Sequence, residues 1–89
     1  MKRSLNFIYG AWVEYKDLER VDKKLVKKLD RMLLELLRSD NPGQGTGKPE
    51  KLKNRVEWSR RIDKGNRVLY LWDESSIYVI QIGGHYGDH

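Results

Sequence analysis

The sequence contains no cysteine, only two prolines and only one phenylalanine among its 89 residues. Without cysteine, the chain cannot form disulfides, thiolate-held iron–sulfur clusters or cysteine zinc sites. No apolar run approaches the ~20 residues of a membrane-spanning helix. The apolar stretch after the basic start MKR is also too short for a signal peptide. We therefore expect a cytoplasmic protein that does not associate with membranes.

What the chain does contain is charge and large aromatic side chains. Charged residues make up 35% and hydrophobic residues 38%, with 3 Trp and 5 Tyr, and the formal net charge is +5. A chain of this length predicts a single domain over residues 1–89, built as one layer of helices on one sheet. The positive charge favours a polyanionic partner, with nucleic acid ahead of membrane. An ordinary lysine-rich surface would give the same charge.

The middle of the chain has helical periodicity. Apolar residues recur at spacings of three and four from Val21 to Leu37, which predicts a long helix. Asp22 is expected to cap its start and Pro42 to stop it. A shorter helix is expected over residues 14–20. The lysines and arginine on the polar side of the long helix are interpreted as a solvated face.

Four segments have the composition of strands. SLNFIYGAW near the start predicts an edge strand, and RVEWSRRI, NRVLYLW and SIYVIQI predict three more, separated by the turn sequences DKGN and DESS. The expected fold class is therefore α+β. We expect a small antiparallel sheet, made of the N-terminal strand and a C-terminal three-strand meander, with two helices packed on one face.

The glycine-rich segment NPGQGTGKPEKLK, residues 41–53, resembles a phosphate-binding loop only superficially. A P-loop requires glycine five residues before Gly47, a hydroxyl residue after Lys48, and a preceding strand. The chain has Pro42 and Pro49 at those positions, and the segment follows a helix. We therefore expect no nucleotide here, but a flexible connection from the long helix to Glu50, at the rim of a basic cleft.

The turn DKGN leaves two hairpin registers open. A two-residue turn at Lys64-Gly65 would place Arg61 and Arg67 on opposite faces of the sheet. A three-residue loop over residues 64–66 would place both arginines on the same face.

Several polar side chains together suit the cleavage of RNA through its own 2′-OH. That reaction needs a base for the hydroxyl, an acid for the 5′-oxygen and cations for the developing charge. Glu50 can be the base, and His85 can be the acid because imidazole has an ordinary pKa of about 6.5. Arg61 and Arg67 can clamp phosphate, and Lys53 can add positive charge. Taken singly, each of these residues is an ordinary surface or tail residue.

The same segments resemble a known family. GxGKPExLK at residues 45–53, followed by WSRRI, then xRVLY, then a C-terminal HY, resemble the YoeB/Txe toxins of bacterial toxin–antitoxin systems. These toxins belong to the RelE superfamily of messenger-RNA interferases. The resemblance covers nearly the whole chain and implies the RelE-like microbial RNase fold. It also implies a catalytic set and a substrate-binding set, which are Glu50, Arg67 and His85 for catalysis, and Lys53, Arg61 and Tyr86 for RNA.

The resemblance carries further implications about partners. It implies an endoribonuclease that cuts messenger RNA in the A site of the 70S ribosome, without metal or cofactor. It also implies a YefM-type antitoxin, operator DNA bound through the antitoxin complex, and homodimer formation.

The sequence departs from the family pattern in places. Gly83 and Gly84 stand where bulkier residues are expected, Asn54 stands where a second histidine can occur, and three residues follow Tyr86. The alternative to an enzyme is a non-catalytic RNA- or DNA-binding module on the same fold. For such a module, charge reversal of Arg60 and Arg61 would abolish the phenotype, while Glu50→Ala and His85→Gln would leave it unchanged.

Overall fold

The first half of the described chain is one strand followed by two helices. The structure, a computed structural model, describes residues 3–84. Strand β1 spans Ser4–Phe7, helix α1 spans Ala11–Val21 and helix α2 spans Lys23–Arg38. Asp22 lies between the helices, and its carboxylate accepts a hydrogen bond from the Leu25 N–H at 3.1 Å. The predicted cap of α2 is therefore confirmed.

The second half forms the rest of a five-stranded sheet. Its strands are β2 (Glu50–Lys51), β3 (Trp58–Arg61), β4 (Arg67–Trp72) and β5 (Ser76–Gly83). The order across the sheet is β1-β5-β4-β3-β2, so β1 lies at an edge as expected. Strands β2 to β5 pair antiparallel in succession, which confirms the meander and adds to it the two-residue strand β2.

The N-terminal strand differs from the sequence prediction in its direction. Strand β1 runs parallel to β5, from Ser4 opposite Ser76 to Phe7 opposite Val79, so the sheet is mixed. After β1 the chain crosses the sheet through both helices, and a parallel pair needs a crossover of that kind. Alternating apolar residues indicate a strand but not its partner, which is why the direction was not predictable. The α+β class with two helices is confirmed.

The helices pack on one face of the sheet and form the core with it. Helix α2 supplies most of the helical contribution, with its apolar stripe facing inward. Within residues 3–84, no helix combines the length and the apolar character needed to cross a membrane. The buried cluster contains helix and strand residues together with Ile62, which follows β3, and consists of Ala11, Leu25, Leu29, Met32, Leu33, Leu36, Ile62, Val68, Tyr70, Ile77, Val79 and Ile82.

One charged residue is fully buried in this core. Arg60 on β3 is 0% exposed, and its guanidinium forms an ion pair with Glu35 on α2 through Nη1. Its Nε donates to the Tyr70 hydroxyl at 3.1 Å, and its Nη2 donates to the Pro42 and Gln44 carbonyls at 3.0 and 2.6 Å. Because a buried guanidinium is costly unless its donors are satisfied, this residue ties β3 to α2, β4 and the glycine-rich loop.

Replacing Arg60 is expected to destabilise the fold far more than replacing its neighbour Arg61. Arg60→Met leaves Glu35 without its ion-pair partner and the Gln44 carbonyl without the Arg60 donor, while the Pro42 carbonyl keeps its hydrogen bond from the Tyr70 hydroxyl at 2.7 Å. We therefore expect a loss of about 3 kcal/mol in the free energy of unfolding. Arg61 is exposed, so Arg61→Met should change it by about 0.5 kcal/mol or less. Urea denaturation of the two variants measures the difference, and equal losses would contradict the structural role of Arg60.

Candidate active site

The β3–β4 hairpin places two arginines side by side. Arg61 and Arg67 are direct partners in the antiparallel ladder, so their side chains leave the sheet on the same face. The loop between them consists of residues 63–65, closed by a hydrogen bond from the Ile62 N–H to the Asn66 carbonyl at 2.8 Å. The sequence left two hairpins open, and the observed hairpin agrees with the three-residue alternative in loop length and in the shared face of the arginines, but not in register. Its loop lies one residue earlier than the expected 64–66.

This face is the one turned away from the helices. Arg60 and Val68 oppose each other on the core side, and alternation along a strand sends Arg61 and Arg67 to the other side. We call the side of the sheet away from the helices the open face. The binding-module alternative treats Arg60 and Arg61 alike, as residues that contact nucleic acid. The alternation shows that only Arg61 is on the open face. Charge reversal of Arg60 would test folding, not nucleic-acid binding, because that side chain is buried.

Glu50 lies on the open face next to Arg67. Its register partner on β3 is Ser59, which alternates with Arg60 and therefore also faces away from the helices. The Glu50 Oε1 lies 3.7 Å from the Arg67 Nη1. Since β3 lies between β2 and β4, this contact spans β3, where the small side chain of Ser59 leaves room for it. The Glu50 side chain is 64% exposed and that of Arg67 34%, so both can be reached from solvent.

The sheet surface beside this pair is formed by residues that lie within the sequence motifs but are not among the predicted site residues. Ser59 is opposite Leu69 on β4, and Leu69 is opposite Gln81 on β5. Ser59 and Leu69 are almost completely buried, at 1% and 0% exposure. They could have been found from strand periodicity, because they lie two residues from Arg61 and Arg67. The open face therefore has a tightly packed floor beneath an exposed carboxylate and two exposed or half-exposed guanidinium groups.

The remaining predicted site residues are less closely placed. Lys53 is exposed in the turn from β2 to β3, which is closed by the Leu52 N–H donating to the Glu57 carbonyl at 2.9 Å. Asn54 in that turn has a φ of +59°, a conformation that asparagine tolerates well. Its conformation gives a local reason for asparagine there. His85 and Tyr86 lie outside the described residues.

The glycine pair at the end of β5 also has a local reason. Gly83 is the register partner of Arg67 and has a φ of +142°. A Cβ at Gly84 would overlap the Gly65 carbonyl in the β3–β4 loop. Glycine therefore stands here in place of a bulkier residue because the β3–β4 loop and the end of β5 approach each other closely.

The loop that leads to Glu50 is packed against the core instead of forming a plain flexible connection. Gly47 has a φ of +79°, and its carbonyl accepts a hydrogen bond from the Arg61 N–H at 2.6 Å. A Cβ at Gly47 would lie 2.7 Å from both the Arg61 carbonyl oxygen and the Met32 Cε. The glycine is therefore required by its backbone conformation and by the closeness of β3 and α2.

The carboxylate of Glu35 holds the same loop through Thr46. It accepts hydrogen bonds from the Thr46 hydroxyl at 2.8 Å and from the Thr46 N–H at 3.2 Å, besides its ion pair with Arg60. Burial alone would raise the pKa of Glu35, but the hydrogen bonds from Arg60 and Thr46 outweigh burial. The pKa of Glu35 is lowered from its ordinary value of 4.5 as a result.

The arrangement on the open face is suited to an anionic substrate. Two guanidinium groups on neighbouring strands can bind phosphate oxygens in a bidentate way, and the nearby carboxylate can accept a proton from a hydroxyl. The face is broad and exposed at Glu50 and Arg61, which suits a polymer more than a small enclosed ligand. The open face is therefore a candidate phosphate-binding surface with a candidate base beside it.

Comparison with known proteins connects this surface to a family. The profile of a family described as the YoeB-like toxin of bacterial type II toxin–antitoxin systems matches residues 7–86. Toxin YoeB of Streptomyces coelicolor is 32% identical over 84 residues, which cover 92% of this chain and 98% of that protein. This chain belongs to the YoeB-like toxin family and, with it, to the RelE superfamily of type II toxins.

Solved structures of relatives agree in fold. The structure of a YoeB dimer from Staphylococcus aureus matches with a TM-score of 0.86 and 35% identity, covering 97% of this chain and 100% of that chain. A YoeB–YefM complex from the same organism matches with a TM-score of 0.83 and 33% identity over the same shares. The predicted RelE-like fold is confirmed by these similarities together with the two helices and five strands.

Gly47→Ala is expected to destabilise the protein, whereas Gly65→Ala is not. Alanine at position 47 must adopt a left-handed φ and overlap the Arg61 carbonyl, so we expect a loss of about 2 kcal/mol or more. Nothing lies within 4 Å of a Cβ at Gly65, so Gly65→Ala should stay within about 0.5 kcal/mol of the wild type. Thermal or urea unfolding of both variants decides, and a tolerated Gly47→Ala would rule out a constrained loop.

The lowered pKa of Glu35 predicts a pH-dependent contribution to stability. The unfolded chain binds the Glu35 proton more readily than the folded protein does, so the contribution is complete above pH 4.5 and is lost as pH falls through the lower folded-state pKa. The stability difference between wild type and Glu35→Gln should therefore shrink from pH 6 to pH 3, measured by urea titration at each pH. A difference that is constant over this range would contradict the assignment.

Proposed function

We propose that this toxin is a ribosome-dependent endoribonuclease that cuts messenger RNA in the ribosomal A site and so inhibits translation in the cytoplasm. The observation that carries the proposal is the Glu50–Arg67 contact of 3.7 Å on the open face. A phosphate bound by Arg67 would lie beside a carboxylate that can take a proton from the neighbouring ribose. Membership of the YoeB-like family supports the same reading.

In the proposed mechanism, Glu50 accepts the proton of the 2′-OH while that oxygen attacks the adjacent phosphorus. Arg67 and Arg61 stabilise the charge that develops on the non-bridging oxygens. His85 donates a proton to the departing 5′-oxygen, and the bond between phosphorus and that oxygen breaks. The products are a 2′,3′-cyclic phosphate and a free 5′-hydroxyl. Protons balance because one is taken by Glu50 and one is given by His85, so the scheme needs no metal or cofactor.

The order of the chain supports His85 as the acid. His85 follows Gly83 by two residues, and Gly83 is the register partner of Arg67. Imidazole is also the side chain best suited to donate a proton near neutral pH. Tyr86 is assigned to base stacking and Lys53 to backbone phosphate.

Dependence on the ribosome follows from the openness of the face. A carboxylate is a weak general base, so the rate of proton transfer depends strongly on how well the 2′-OH is aligned with it. Glu50 and Arg61 are exposed, so the protein alone offers few walls that would align the 2′-OH with the phosphate. Alignment supplied by the ribosome would remove that entropic cost, so naked RNA should be cut slowly.

Regulation by an antitoxin and self-association are part of the proposal. The similar Staphylococcus aureus proteins form a YoeB–YefM complex and a YoeB dimer. We extend both properties to this chain. A cognate YefM-type antitoxin would neutralise it, the complex would bind operator DNA, and the free toxin would form homodimers.

Primer extension on 70S ribosomes programmed with a defined messenger RNA tests the activity. We expect a single A-site cut by the wild type and a rate lower by about 100-fold or more for Glu50→Gln, Arg67→Gln and His85→Gln. Because the Glu50 side chain is 64% exposed, Glu50→Gln should change stability by about 1 kcal/mol or less. The Arg67 side chain is only 34% exposed, so the folding of Arg67→Gln is checked by urea denaturation. Loss of cleavage in folded variants would therefore report on chemistry.

Glu74→Gln is the matched control because it removes a carboxylate from the exposed β4–β5 turn, away from Glu50. We expect this variant to cut messenger RNA at the wild-type rate. Wild-type protein that binds ribosomes tightly without cutting would favour the non-catalytic RNA-binding module. Equal rates on naked and ribosome-bound messenger RNA would contradict the role of the ribosome.

A further inference from the structure

The chain from Pro42 to Glu50 is held by side chains that do not belong to the open face. The Arg60 Nη2 donates to the Pro42 and Gln44 carbonyls at 3.0 and 2.6 Å. The carboxylate of Glu35, which pairs with Arg60, also accepts from the Thr46 hydroxyl at 2.8 Å. The loop is thus held by Arg60 and Glu35 at three alternate residues, Pro42, Gln44 and Thr46, before it reaches the proposed base.

The last tie lies close to that base. Arg61 donates its backbone N–H to the Gly47 carbonyl at 2.6 Å, and only two residues separate Gly47 from Glu50. One of them is Pro49, whose ring fixes its φ. Strand β2 itself has only two residues and pairs with β3 alone, so it is too short to fix its own position. The place of the Glu50 carboxylate therefore depends on where the loop is anchored.

We propose that Glu35, Arg60 and Thr46 form a positioning unit that sets the place of the Glu50 carboxylate relative to Arg67. Arg60 lies on the core side of β3, whereas Glu50 and Arg67 meet on the open side, so the unit acts through the backbone of the loop. The proposal rests on the proposed function of Glu50 as base. It assigns these three residues no contact with RNA.

A positioning role affects turnover and not substrate binding. The side chains proposed to bind RNA, among them Arg61 and Arg67, are unchanged when Thr46 or Arg60 is replaced. A displaced Glu50 would, however, approach the 2′-OH in a poor geometry, and displacements of about 1 Å can cost about 100-fold in rate. We therefore expect kcat to fall, while KM for programmed ribosomes stays the same.

The mild test uses Thr46, which is exposed and can be replaced without burying anything new. Thr46→Val keeps the shape and the backbone N–H but removes the hydroxyl that binds Glu35. We expect kcat to fall about tenfold with KM within about twofold, and Thr46→Ser to restore kcat because it restores the hydroxyl. Arg60→Lys keeps the charge but loses the planar fork, and its kcat should fall further.

Stability is controlled with a core variant remote from the loop. Ile77→Val removes one buried methylene on β5, and it should keep wild-type kcat although it also destabilises the fold. If Arg60→Lys does not fold, the Thr46 pair alone decides. Folded Thr46→Val with kcat within twofold of the wild type would overturn the positioning unit.

A readout independent of cleavage separates this inference from the proposed function. In NMR spectra, Thr46→Val should shift the Glu50 amide and the Arg67 Nε–Hε signals, and Thr46→Ser should leave them near their wild-type positions. Shifted signals in a protein whose wild type does not cut would refute the enzyme but support the positioning unit. Unshifted signals would refute the positioning unit, whatever the activity.

Discussion

The burial of one guanidinium organises this small protein. Arg60 is fully buried, and each of its terminal nitrogens finds an acceptor, either in the Glu35 carboxylate or in the carbonyls of Pro42 and Gln44. A charge in this position is tolerated only with such partners, because desolvation of an unpaired guanidinium would cost several kcal/mol. Helix α2, strand β3 and the loop between them must therefore come together in one arrangement. That arrangement also decides where β2 begins and hence where Glu50 lies.

Because side chains alternate along a β-strand, adjacent residues of β3 have different roles, one in the stability of the core and the next in the candidate site. Arg60 and Arg61 are neighbours of the same type, yet one is buried in the core and the other is exposed on the open face. The same alternation lets Ser59, with its small side chain, lie under the contact between Glu50 and Arg67. The core can therefore anchor the candidate site through the backbone of β3 without placing further polar groups on the open face.

What the sequence could predict depended on whether the signal was local. The cap at Asp22 follows from local spacing and is confirmed, whereas the turn sequence left open whether Arg61 and Arg67 share a face, and the observed register shows that they do. The parallel direction of β1 and the pairing of Glu35 with Arg60 depend on long-range packing, which periodicity does not encode. The spacing of residues also does not indicate which of two neighbouring arginines on a strand faces the core. The proposed roles of His85 and the other site residues stay predictions, and His85 lies outside the described part of the chain.

The glycine-rich loop shows how similar sequences can serve opposite electrostatic purposes. A P-loop turns backbone N–H groups toward a bound phosphate. Here the carbonyls of Pro42 and Gln44 point at a buried cation, and the Thr46 N–H is used by the Glu35 carboxylate. The loop therefore surrounds a guanidinium of the protein itself, with its glycines allowing the close approach. These polar groups are directed at the protein's own ion pair, and the candidate phosphate-binding surface, with Arg61 and Arg67, lies on the opposite face of the sheet.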